Sequence, residues 1–130
     1  RRATMGKDHK ELARGVNEAA ATLRRAVPDV MEAFGGLGAA ARQDGALDHK
    51  TKELITLVIA VSKRCEPCIA YHAKQSLKLG VTRDEVAEAV AVAVHMGGGP
   101  AMVYAAGALR AYDEFAAVEE ERRERELQPA

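Results

Sequence analysis

Apolar residues recur every three or four positions along most of this chain, with charges between them, which is the period of amphipathic helices. From Lys7 to about Val27 the pattern runs through Leu12, Val16, Ala19, Ala20 and Leu23. Pro28 punctuates it, and Asp29 to Arg42 reads as a second helix weakened by Gly35, Gly36 and Gly38. The turn Gly45-Ala46-Leu47 leads to Asp48, a good N-cap for a third helix over Lys50–Arg64. Residues Leu54 to Val61 of that helix are apolar almost all round, so it is expected to be buried on most sides. Pro67 has no N–H and would clash with the carbonyl of Lys63, so it opens a new helix rather than continuing the old one. This fourth helix runs from Glu66 to Leu79, with Gly80 as the residue that turns the chain out. Thr82 and Glu85 form a capping box before a fifth helix, Arg83 to about Met96. Gly97-Gly98-Gly99 ends it, and Pro100 restarts a sixth that reaches Phe115 and beyond. The stretch Glu119–Glu126 has Glu/Arg pairs at helical spacing but no apolar stripe, as in a solvated extension or a frayed end.

The expected fold is therefore all-α, a bundle of about six helices in a single domain over 1–130. Its core would span about 30–115, with an N-terminal helix over 1–27 and a charged tail over 116–130. Composition adds one constraint. Twenty-six alanines, two Phe, three Tyr and no Trp make a thin core, since each buried Ala removes little apolar area from water. A small Ala-rich domain gains by burying more surface against copies of itself. Nineteen basic residues balance nineteen acidic ones, which removes the electrostatic case for nucleic acid or an anionic membrane as partner. No apolar run approaches a membrane span, and no apolar stretch follows Arg1–Arg2 as in a signal peptide. The expectation is a soluble, cytoplasmic protein.

Both cysteines lie in Cys65-Glu66-Pro67-Cys68, with His72 four residues further on. At a helix start this arrangement favours redox chemistry, because unpaired N–H groups and the helix dipole stabilise thiolate. His72 shares a face with Cys68 and is a candidate base for its thiol. Half a zinc site and an inert pair are the alternatives. Zinc is disfavoured because Cys65 and His72 stand roughly 10 Å apart along one helix. Glu53 sits on one stripe with Leu57, Ala60 and Arg64. It is either a helix-start acid complementing the dipole or an inward acid that orients His72. Tyr71, His95 and Tyr104 are weaker candidates, and His9 and His49 read as surface residues. Gly97-Gly98-Gly99-Pro100 lacks the strand before it and the Lys-Ser/Thr after it that a phosphate loop needs.

Glu53, eleven intervening residues, then Cys-x-x-Cys-x-x-x-His resembles the alkylhydroperoxidase AhpD-like branch of the carboxymuconolactone decarboxylase family. Leu79–Glu85 and His95–Ala101 look like that family too, and the resemblance covers about residues 30–115. It implies an all-helical fold, assembly into a trimer or hexamer, and proton-relay and thiol roles for Glu53, Cys65, Cys68 and His72. The family prototype has a His where this chain has Pro67, and an additional helical half, so this chain looks like a short single-unit member. The true lactone decarboxylases lack the cysteine pair.

The activity implied is reduction of a hydroperoxide or of a partner disulfide, with no bound cofactor or metal and an external dithiol as reducing partner. In that mechanism Cys68 attacks, Cys65 resolves, His72 takes the thiol proton and Glu53 orients the relay. The helix dipole alone would favour Cys65 as the attacking thiol. Pairing with His72 favours Cys68, as does the resemblance. The other readings are a lyase acting on a small organic acid and a non-enzymatic oligomer that responds to redox state.

Overall fold

The computed structural model describes residues 8–129, and among them it forms six helices and no strand. They are α1 (His9–Ala26), α2 (Pro28–Arg42), α3 (His49–Ser62), α4 (Glu66–Lys78), α5 (Arg83–Gly97) and α6 (Gly99–Leu127). The predicted Lys7 start of the first helix lies outside the described residues. α6 is the spine of the bundle. It packs against α4 and α5, with α3 and α1 completing the ring, while α2 reaches only α1 and α3.

The helix ends follow local chemistry. The Asp48 side chain accepts from the Thr51 N–H, and these hydrogen bonds hold its carboxyl below the usual carboxylate range. Thr82 and Glu85 make both halves of the capping box, at 3.1 and 2.8 Å. α4 stops where Gly80 N–H bonds to Leu77 O and Val81 N–H to Ser76 O, with Gly80 at φ +79°. This is a Schellman motif, and glycine fills its left-handed position without a steric penalty.

Small side chains let the helices approach closely. α6 buries Ala101, Ala105, Ala108, Ala111, Tyr112 and Phe115 along one stripe. All of these but Ala101 join one core cluster with Leu57, Val61, Ile69, Val86 and the buried alanines of α4 and α5. The Tyr112 hydroxyl donates to Val81 O at 2.6 Å and ties α6 to the α4–α5 turn. No described helix is long and apolar enough to cross a membrane.

Three expectations need correction. α3 is not buried on most sides: it buries Glu53, Leu57, Ala60 and Val61 but exposes Ile55 and Ile59. It also ends at Ser62 rather than Arg64. His9 is not a surface residue. Its N–H donates to Glu114 Oε2 at 3.1 Å and its Nδ1 lies 3.3 Å from Oε1, so the first turn of α1 is pinned onto α6. Of the two readings of the tail, the solvated helical extension is the one present: Arg122 pairs with Glu119 and Glu126, and Arg123 with Glu120, and α6 runs to Leu127.

The capping box has a pH signature. Hydrogen bonding from the Thr82 N–H, then the Lys50 ammonium 3.0 Å away, hold the Glu85 carboxyl below its ordinary value. Its stabilisation is complete above the ordinary carboxylate pKa and disappears as pH falls through the depressed folded value. Glu85→Gln should therefore melt below the wild type at pH 7, with the two curves converging in acid, as thermal denaturation across pH 2–7 will show.

Candidate active site

α3 and α4 meet at a connection of three residues, Lys63-Arg64-Cys65. α3 closes with Arg64 N–H on Val61 O (3.1 Å) and Cys65 N–H on Ala60 O (3.2 Å). This repeats the Schellman geometry at Gly80, but the left-handed residue is Arg64, at φ +56°. A side chain there costs about 1–2 kcal/mol relative to an unstrained conformation.

Cys65 is then the N-cap of α4, its Sγ accepting from Cys68 N–H at 3.3 Å, with Pro67 in the first turn. Proline fits here because its missing N–H would be unpaired in any case. Cys65 and Cys68 are joined by a disulfide, with Cα atoms 5.2 Å apart. Cys65 is partly covered, whereas Cys68 is exposed and open to attack from solvent. An apolar groove of about 430 Å³, lined by Leu12, Val16, Ala19 and Pro67, runs beside this turn.

One helical turn beyond Cys68, His72 points its Nδ1 at Glu53 Oε2 across a 2.6 Å hydrogen bond. The Glu53 side chain is only 3% exposed and that of His72 25%. Of the two roles open for Glu53, the inward acid is the one the structure adopts. A carboxylate this deep needs a compensating partner, and the imidazole provides it. Tyr71 packs edge-on to the imidazole, ring centroids 5.0 Å apart, and restricts its tilt.

Among the described residues no hydrogen bond links His95 or Tyr104 to this pair: His95 is exposed on α5, and Tyr104 half-buried on α6. Helical spacing alone passes over Arg64 and the His9–Glu114 contact.

A helical bundle that carries a Cys-x-x-Cys turn beside a His paired with a buried Glu is shared with known proteins. The family model described as "Carboxymuconolactone decarboxylase family" matches residues 28–111. An uncharacterized protein of Cupriavidus necator is 42% identical over 98 residues, 75% of this chain and 87% of its own length. Another, encoded in the cox locus of Paracoccus denitrificans, is 38% identical over 91 residues, 70% of this chain and 82% of its own. Among solved structures, a carboxymuconolactone decarboxylase family protein of Legionella pneumophila superposes with a TM-score of 0.81 at 44% identity, covering 82% of this chain and 96% of that one. A family protein of Thermotoga maritima gives 0.73 at 28% identity, covering 85% and 94%. The chain belongs to the carboxymuconolactone decarboxylase family, which includes the AhpD-like proteins.

The pairing of Glu53 with His72 is measurable as coupling. In a double-mutant cycle built from Glu53→Gln, His72→Ala and the double variant, urea unfolding should give an interaction energy of about 0.5–3 kcal/mol. Strict additivity would show that the two side chains do not support each other.

Proposed function

We propose that this protein is a thiol-dependent oxidoreductase that reduces hydroperoxides or a partner disulfide, with Cys68 attacking and Cys65 resolving. The observation that carries this reading is an exposed Cys68, disulfide-linked to Cys65, one turn from a His72 backed by a buried Glu53.

In the reduced protein His72, oriented by Glu53, takes the Cys68 thiol proton. The thiolate attacks the terminal peroxide oxygen, the O–O bond breaks, and the leaving alkoxide accepts a proton. Cys68 is thereby oxidised to a sulfenic acid. Cys65 sulfur then attacks Cys68 sulfur, expelling water and closing the disulfide. An external dithiol reopens it by exchange through a mixed disulfide, and Cys68 is the more accessible sulfur for that step.

Mass spectrometry after peroxide treatment, with and without a dithiol, tests the cycle. Cys65→Ser should stop at a sulfenic acid on Cys68 that dimedone traps, whereas Cys68→Ser should not react. His72→Ala should slow the first step by about 10²–10⁴-fold, with partial recovery at alkaline pH. A sulfenic acid on Cys65 of the Cys68→Ser protein, formed at the wild-type rate, would reverse the two roles.

The same reading includes self-association, as a trimer or hexamer. α2 buries no residue of its own and leaves Val30, Phe34 and Leu37 each more than 60% exposed along one stripe. A 15-residue helix carrying three glycines is marginal in water without a surface to pack on. Light scattering should show an assembly at micromolar concentration that Phe34→Glu weakens. A wild-type monomer would refute self-association.

A further inference from the structure

α2 and the groove beside Pro67 are complementary in shape and chemistry. Among the described residues α2 buries none of its own, and Val30, Phe34 and Leu37 stand exposed at the i, i+4, i+7 spacing with which a helix enters a groove. Glu32, the one charge between them in sequence, lies on the opposite side of that helix. The groove of about 430 Å³ is floored by Leu12, Gly15, Val16 and Ala19, which repeat at i, i+3, i+4, i+7 along α1, and is bounded by Pro67. It has the form of a seat for a second helix.

Gly15 is the residue of that floor which local structure does not explain. Glycine weakens a helix interior relative to alanine, yet a Cβ here would meet nothing within 4 Å among the described residues. Packing within the chain therefore does not require a small residue at this point. A helix backbone laid closely against α1 does require one. Gly97 shows the same need met inside the chain, where a Cβ would lie 2.6 Å from that of Ala101.

Charge sets the direction of the incoming helix. The groove ends at Asp8 and Glu11. Arg42, at the end of α2, has no ion-pair or hydrogen-bond partner among the described residues. Its guanidinium folds back beside Gly38, 2.8 Å from where a Cβ would stand. With Phe34 over Gly15 and the two helices antiparallel, Gly38 comes level with Glu11, and the guanidinium meets the acidic end. A parallel arrangement would bring Asp29 there instead, like charge against like. The α2 of the same chain does not fit this register. α1 stays helical to Ala26 and Val27 alone joins it to α2, so doubling back would set Phe34 near Ala20 rather than Gly15.

We infer that the groove receives α2 of a second copy of this chain, antiparallel to α1, with Phe34 over Gly15 and Arg42 at the Asp8–Glu11 end. Pro67 stands between the two cysteines, so the partner's α2 forms a wall beside each cysteine turn, and the site is completed in trans. Groove and stripe are unlike surfaces. Each copy gives one and receives one, by reciprocal exchange or around a closed ring. The contact rests on the self-association reading above and on nothing in the redox chemistry.

Subunit mixing tests it. Gly15→Leu fills the groove and leaves the stripe intact, whereas Phe34→Glu spoils the stripe and leaves the groove. In sedimentation velocity each variant should associate with itself at least about 10-fold more weakly than wild type, with unchanged far-UV circular dichroism. Their equimolar mixture should form a one-to-one pair, because one intact groove and one intact stripe remain between them. Glu11→Arg and Arg42→Glu should each weaken assembly by about 2–10-fold, and the two together should restore it. That exchange of surface charges does not depend on how Gly15→Leu folds. No pair in the mixture and no restoration by the charge exchange, with wild type still assembled, would overturn this contact and leave self-association standing. A monomeric wild type would overturn both. If Gly15→Leu keeps full assembly but raises KM for a hydroperoxide, the groove holds an apolar substrate and the helix contact falls.

Discussion

A carboxylate taken out of water must be compensated where it lies, and this constraint on Glu53 organises the α3–α4 half of the molecule. Its partner, His72, is nineteen residues away on the next helix, so the 2.6 Å bond forms only when α3 and α4 hold one relative position. Close alanine and aliphatic packing around Leu57, Ala60, Ile69 and Ala73 provides that position. The imidazole is then held on both sides, by the carboxylate and by the edge of Tyr71.

The cysteine turn depends on the same junction. Three residues must reverse the chain between two packed helices, and the Schellman bonds from Arg64 and Cys65 back to α3 do so while setting Cys65 as the cap of α4. Pro67 gives α4 a clean start and places Cys68 one turn ahead of His72. The cysteine pair and the Glu53–His72 pair are thus adjacent because one short connection joins the helices that carry them.

What could be read from the sequence was what is decided locally. Asp48, Thr82 with Glu85, Gly80, Pro67 and Pro100 each marked a helix end through chemistry confined to a few neighbouring residues, and the helix ends fell close to them. The Cys-x-x-Cys-x-x-x-His spacing with Glu53 upstream picked out the residues of the candidate site, although the direction of the Glu53 side chain stayed open. Features set by distant partners were not legible. His9 is buried against Glu114, 105 positions later, and Ile55 and Ile59 are exposed on a helix that is apolar almost all round. Neither fact leaves a trace in local periodicity.

The alanine core makes the fold tolerant in an unusual direction. Among the described residues, nine of the seventeen buried apolar ones are alanines, from Ala13 to Ala111. Truncation, which wounds most protein interiors, has little to remove at these positions, and no rotamers exist there to freeze. Enlargement is another matter, because a single added methyl must push two helix backbones apart. Sequence drift in the interior is thereby confined to the few larger residues, Leu57, Val61, Ile69, Val81 and Val86 among them. Relatives that diverge widely on their surfaces should share the pattern of small positions more faithfully than any large hydrophobic one.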